Sequence, residues 1–127
     1  MNADTEYWAK LSKYDIDTAK AMLESGRYLY VVFTCQQAVE KMIKALVVER
    51  TNTFPPKTHD LVRLLNTAGI EATEDQKQFL ATLNFYYIET RYPDQISQLS
   101  SRIKKQAAED FYKNTKMVLK WLRSKRR

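Results

Sequence analysis

The tract YLYVVFTCQQAVEKMIKALVVER, residues 28–50, admits two readings, and the choice between them sets the fold. Its opening, Tyr28 to Phe33, is β-branched and aromatic and suits a strand locally. The apolar positions Val32, Cys35, Val39, Met42, Ile43 and Leu46 recur at three- and four-residue spacing, which places them on one face of a helix. That period continues through Leu46, so the tract is read as one long helix over about residues 28–50.

The neighbouring segments follow the same period. Upstream, a first helix over about Asp4 to Ser25 carries Trp8, Leu11, Asp15, Thr18, Ala19 and Met22 on one face, and Gly26 is its stop, since glycine takes the left-handed conformation cheaply. Downstream, Pro55-Pro56 marks a loop over residues 51–57. Thr58 is expected to cap a short third helix, with Asp60 in its first turn, Leu61, Leu64 and Leu65 buried, and Gly69 at its end. Thr73-Glu74-Asp75-Gln76 reads as a capping box opening a fourth helix, whose apolar face is Phe79, Leu80, Leu83, Tyr86 and Tyr87. Pro93 disfavours helix at Tyr92, so that helix should end near Arg91. A fifth helix over about Ser101 to Arg123 presents Lys104, Ala107, Ala108, Phe111, Thr115, Val118 and Leu122. The expected fold is all-α: an antiparallel up-and-down bundle of four long helices plus a short helix, in one domain over residues 1–127 with a short basic C-terminal tail. Two glycines and three prolines in 127 residues leave too few turns for an all-β fold.

Composition narrows the function classes. The opening residues are polar and partly acidic, unlike a signal peptide, and no apolar run approaches the roughly 20 residues of a membrane span. Cys35 is the single cysteine, so no intramolecular disulfide forms. These features point to the cytoplasm and away from a membrane. The charge is uneven: from Arg102 onward ten basic residues face two acidic ones, so that segment carries +8 and the preceding chain −2 of the total +6. A basic strip of this kind attracts RNA, DNA or an acidic partner, unless it is simply a solvated face that aids solubility.

Two places depart from the apolar pattern. Asp15 falls on the inner stripe of the first helix, and a buried carboxylate requires a partner. Gln37, Glu40, Lys41 and Lys44 recur along one side of the second helix, so Asp15 is expected to pair with Lys41 or Lys44 and fix the register of the two helices. Asp15, Gln37 and Glu40 are read as a structural or dimer-facing cluster; Lys41 and Lys44 are also candidate ligand contacts. The second place is Tyr86 to Asp94, where Arg91 lies among tyrosines. Arginine there could bind phosphate through its fork and stack on a ring, or it could bond the carbonyls ending its own helix. Arg91, Tyr92 and Tyr87 are therefore candidate ligand contacts too. His59, the single histidine, stands at a helix start, where the dipole disfavours its charged form. No phosphate-binding glycine loop is present, and Cys35 with His59 makes no metal set, so no metal and no cofactor is expected.

In combination these residues resemble the HEPN domain family over nearly the whole chain. The resemblance is carried by Tyr14-Asp15 with Ala19 and Met22-Leu23, by Gly26-Arg27-Tyr28, by the run from Cys35 to Leu46, by Thr58-His59-Asp60-Leu61, and by Arg91-Tyr92-Pro93-Asp94. It implies a bundle of four or five helices that pairs as a homodimer. It also implies association with a minimal nucleotidyltransferase and roles in toxin–antitoxin or defence systems. One branch of the family cleaves RNA without metal, using an arginine, four to six intervening residues and a histidine. This sequence departs from that motif. Ile96, Ser97 and Gln98 follow Arg91 at that distance, and Ala107, Ala108 and Glu109 follow Arg102. Arginine stabilises phosphate charge but hardly moves protons near neutrality. The expectation is a non-catalytic module that binds a nucleotide or RNA, or docks a nucleotidyltransferase. The alternatives are a divergent metal-free ribonuclease using Arg91 and His59, and a purely structural dimerisation module.

Overall fold

The computed structural model describes residues 3–89, 92, 98 and 101–127. Among the described residues five helices follow in order: α1 Ala3–Glu24, α2 Tyr28–Thr51, α3 Leu61–Thr67, α4 Glu74–Glu89 and α5 Lys105–Arg123. Among the described residues there is no strand, and no helix is long and apolar enough to cross a membrane. The aromatic and β-branched opening of α2 is helical from Tyr28 onward, so tertiary burial overrides local strand preference.

The four long helices alternate in direction. A three-residue turn reverses the chain between α1 and α2. Phe33, near the start of α2, stacks on Tyr87, near the end of α4. Phe79, early in α4, lies in one groove with Trp121, late in α5. Arg126, just beyond α5, ion-pairs with Glu6 at the start of α1. α2 packs against all four other helices, which is why it is buried on nearly every side. The expected stripe from Val32 to Leu46 is buried throughout, and Val31, Ala38, Ala45 and Val47 are buried with it.

The helix ends follow the chemistry of single residues. Gly26 and Gly69 both have positive φ, +78° and +71°, where a side chain would be strained. Both halves of the capping box form: the Gln76 N–H donates to Thr73 Oγ1 at 3.1 Å, and the Thr73 N–H donates to Gln76 Oε1 at 2.9 Å. Thr73→Ala removes the first bond and is expected to lower stability by about 1 kcal/mol, read as a shift in urea midpoint. An unchanged midpoint would mean that α4 needs no cap.

Three local expectations are corrected. α3 is capped by Asp60, whose Oδ1 accepts from the Arg63 N–H at 3.2 Å; Thr58 instead accepts from the Asp60 N–H at 3.2 Å, one step outside the helix. α5 starts at Lys105, because Lys104 has extended backbone and points to solvent. The inner side of α1 is also rotated from the expected stripe. Thr5, Ser12, Ile16 and Ala19 are its most buried residues. Small side chains at Ser12 and Ala38 let α1 and α2 approach, and the Ser12 hydroxyl donates to the Ala38 carbonyl at 2.7 Å. The basic C-terminus is partly docked: the Lys125 carbonyl accepts from Arg50 at 3.0 Å, and the Arg127 N–H donates to Glu49 at 2.9 Å.

Candidate functional site

At the centre of the polar cluster is Glu40, 3% exposed in the middle of α2. A carboxylate this deep must be neutralised or fully bonded. Both oxygens are engaged. Oε2 accepts from Lys44 Nζ at 2.9 Å, one turn along α2. Oε1 accepts from Gln36 Nε2 at 3.1 Å and meets His59 Nδ1 at 2.8 Å. Burial alone would raise the carboxyl's pKa. The hydrogen bonds from Lys44, His59 and Gln36, with the Lys44 charge, outweigh it and hold Glu40 below the ordinary glutamate range.

An ionised carboxylate can only accept, so it fixes the proton of His59 on Nδ1 and leaves Nε2 as the ring's other functional atom. The His59 side chain is 47% exposed, while its partner Glu40 is 4% exposed. Gln36 also donates to the His59 backbone carbonyl at 3.3 Å, and Gln37 Nε2 donates to Gln36 Oε1 at 2.9 Å. The loop before α3 is thereby tied to α2 at two points. The Tyr87 ring stands 5.1 Å from the imidazole and stacks at 5.2 Å on Phe33, forming a wall behind His59. The result is a buried carboxylate presenting an oriented imidazole at the surface, an arrangement suited to binding an anion or to moving a proton.

The sequence-predicted residues divide as follows. Asp15 pairs with Lys41 at 2.6 Å, the first of its two expected partners, and Lys44 serves Glu40 instead. Lys44 also lies 5.4 Å from the Trp8 ring, so α1 closes over the cluster. Gln37, Glu40 and Lys44 thus belong to one network with Gln36 and His59, backed by Tyr87, while Asp15 and Lys41 form a separate ion pair between α1 and α2. Tyr92 is exposed. Arg91 lies outside the described residues. Gln36 and Trp8 escaped sequence reasoning as site residues. The available signal for Gln36 was its place four residues before Glu40, on the same face.

Other chemistry finds little support elsewhere. Cys35 is buried, and burial, slightly offset by the Thr115 hydroxyl, pushes its thiol up to about 12, so it is not a nucleophile near neutrality. Among the described residues no group of three His, Cys, Asp or Glu side chains could hold a metal ion.

Comparison with known proteins follows the same outline. No curated protein sequence matches significantly. The fold is similar to that of TT1696 from Thermus thermophilus, with a TM-score of 0.79 and 23% identity, covering 94% of this chain and 96% of that one. It is also similar to ST0689, described as an archaeal HEPN homologue, with a TM-score of 0.75 and 22% identity over 94% of this chain and 95% of that one. The HEPN domain profile matches residues 5–125, nearly the full chain. The chain therefore belongs to the HEPN domain family.

Proposed function

We propose that this HEPN domain is a binding module for a nucleotide or RNA, with His59 as its central contact. The observation that carries this reading is the hydrogen bond between buried Glu40 and His59 Nδ1 at 2.8 Å. It fixes the outward-facing imidazole in one orientation, at the desolvation cost of a buried carboxylate. Such a cost is hard to explain by packing alone, since a hydrophobic residue would fill the same space. Arg91, Tyr92, Tyr87, Lys41 and Lys44 are proposed as further ligand contacts, with Tyr87 behind the His59 ring and Lys44 held on Glu40. A homodimer, and docking of a minimal nucleotidyltransferase in a toxin–antitoxin or defence setting, are proposed from family membership.

The test is titration of a labelled nucleoside triphosphate into wild type, His59→Ala and Arg91→Ala proteins. In its imidazolium form His59 donates from Nε2–H to a phosphate oxygen, a bond worth about 1.5–3 kcal/mol, so His59→Ala is expected to weaken binding about tenfold or more. Equal affinity of all three proteins would remove His59 and Arg91 from the site.

The same hydrogen bond favours a second reading, metal-free RNA cleavage. A carboxylate-oriented histidine is a competent general base, and Arg91 could stabilise the phosphate. That reading requires cleavage of RNA in the presence of a chelator, lost in His59→Ala. Binding without cleavage at high protein concentration favours the module.

A further inference from the structure

A separate surface stands on the other side of α1. Residues 15 and 17 are about 200° apart on a helix, so Asp15 turns toward α2 while Asp17 turns away from it. Asp17 lines a groove of about 440 Å³ between α1 and α5. Lys13 and Lys20 of α1 form one bank of this groove, and Lys116, Lys120 and Arg123 of α5 form the other. All five cations are exposed, and Asp17 is the groove's single carboxylate. Asp17 is occupied by Lys13 at 2.6 Å, which leaves four cations facing the groove without a carboxylate among its lining residues. Tyr112 lies in the groove with Lys116 Nζ 4.7 Å from the centre of its ring.

We infer that this groove binds the phosphodiester backbone of a nucleic-acid strand, as a site separate from His59. The length of the two banks supports an extended polyanion over a single phosphate. Seven residues separate Lys13 from Lys20 and Lys116 from Arg123, or roughly 10 Å of helix on each bank at 1.5 Å per residue. A stacked strand advances about 3.4 Å per phosphate along its axis, so the banks are longer than a single phosphate group needs. Four of the five cations are lysines, flexible point charges suited to a backbone of any sequence. Burial and then the nearby Asp17 push the Tyr112 hydroxyl up, so it remains protonated and can donate a hydrogen bond to a phosphate oxygen. The Lys116, Lys120, Arg123 spacing gives physical meaning to the basic C-terminal segment: its cations are gathered on one helix face opposite α1.

The experiment measures binding of a fluorescent 12-nucleotide RNA to the full chain across a salt series, in wild type, K116E/K120E and K77E/K104E. The last variant makes the same charge change outside the groove. Wild type is expected to bind, with affinity falling steeply as salt rises. K116E/K120E is expected to bind at least tenfold more weakly, with a salt slope shallower by about 1.4, at about 0.7 per lost phosphate contact. K77E/K104E should stay within about threefold of wild type. If the charge reversal unfolds the chain, judged by circular dichroism, Lys116→Gln with Lys120→Gln should give the same ordering with a smaller change. The inference is overturned if wild type fails to bind at low salt or if the two double variants weaken binding equally. It is also overturned if polyglutamate of matched length displaces the RNA as well as unlabelled RNA does, which would mark an acidic protein surface as the ligand. Wild-type affinity in K116E/K120E, with loss of binding in His59→Ala, would place the RNA at the other site and overturn the inference.

Discussion

Glu40→Ala is expected to lose about 3–5 kcal/mol of stability, because it strips a nearly buried cation of its counter-charge. Lys44 is 12% exposed in its side chain and finds its carboxylate in Glu40. Gln36 loses an acceptor in the same step, and the His59 loop loses one of its two ties to α2. Against a total of about 5–15 kcal/mol for a domain of this size, the change approaches unfolding. Equilibrium urea denaturation measures it directly, and a loss below about 1 kcal/mol would show that the network is dispensable. Glu40→Gln keeps the shape and one acceptor and should cost less. It also separates charge from packing through pH. The Glu40 carboxyl titrates lower in the folded chain than in the unfolded one. Its contribution is therefore fully present above the unfolded value of roughly 4.3 and disappears as pH falls through the lower folded value. Wild type should lose this increment on acidification, and Glu40→Gln should show a flatter stability curve across that window.

Leu46→Ala is expected to cost about 2–5 kcal/mol through a different mechanism. Leu46 is fully buried on α2, the helix that touches all four others. A cavity there is bordered on several sides by separate helices, so no single movement closes it. The expected fall in Tm is on the order of 10 °C, measured by a thermal melt. Met117 provides the contrast. It is 65% exposed on the rim of the groove between α4 and α5, so Met117→Ala should change stability by less than about 1 kcal/mol. Equal losses at the two positions would contradict the central place of α2.

Much of the site was visible as residue types and little of it as geometry. The spacing of Glu40 and Lys44 on α2 made their pairing legible, because residues four apart on a helix are neighbours by construction. Asp15 was legible as a carboxylate in need of a partner, but only the register of α1 against α2 decided for Lys41. That register depends on the Ser12 hydroxyl reaching the Ala38 carbonyl, a contact between residues 26 positions apart. His59 was misjudged in its surroundings. Its position before α3 suggested a helix dipole as the dominant influence, whereas its ring turns to Glu40, 19 residues earlier.

The sequence by itself determined the elements. Helical periodicity specified the four long helices, Gly26 and Gly69 ended two of the five described, and Thr73 with Gln76 specified the start of α4, because all these effects act within a few residues along the chain. Only the tertiary structure decided which polar residues would be buried. Glu40 lies beside the apolar stripe of α2, on the side that, in sequence, carries Gln37, Lys41 and Lys44, and Gln36 lies at the stripe's edge. They are buried because α2 is enclosed by the four other described helices, and a helix's own periodicity carries no information about how many neighbours will surround it. For the same reason, α1 and α5 each reveal their lysines, but the groove that gathers them exists only where the two helices pack.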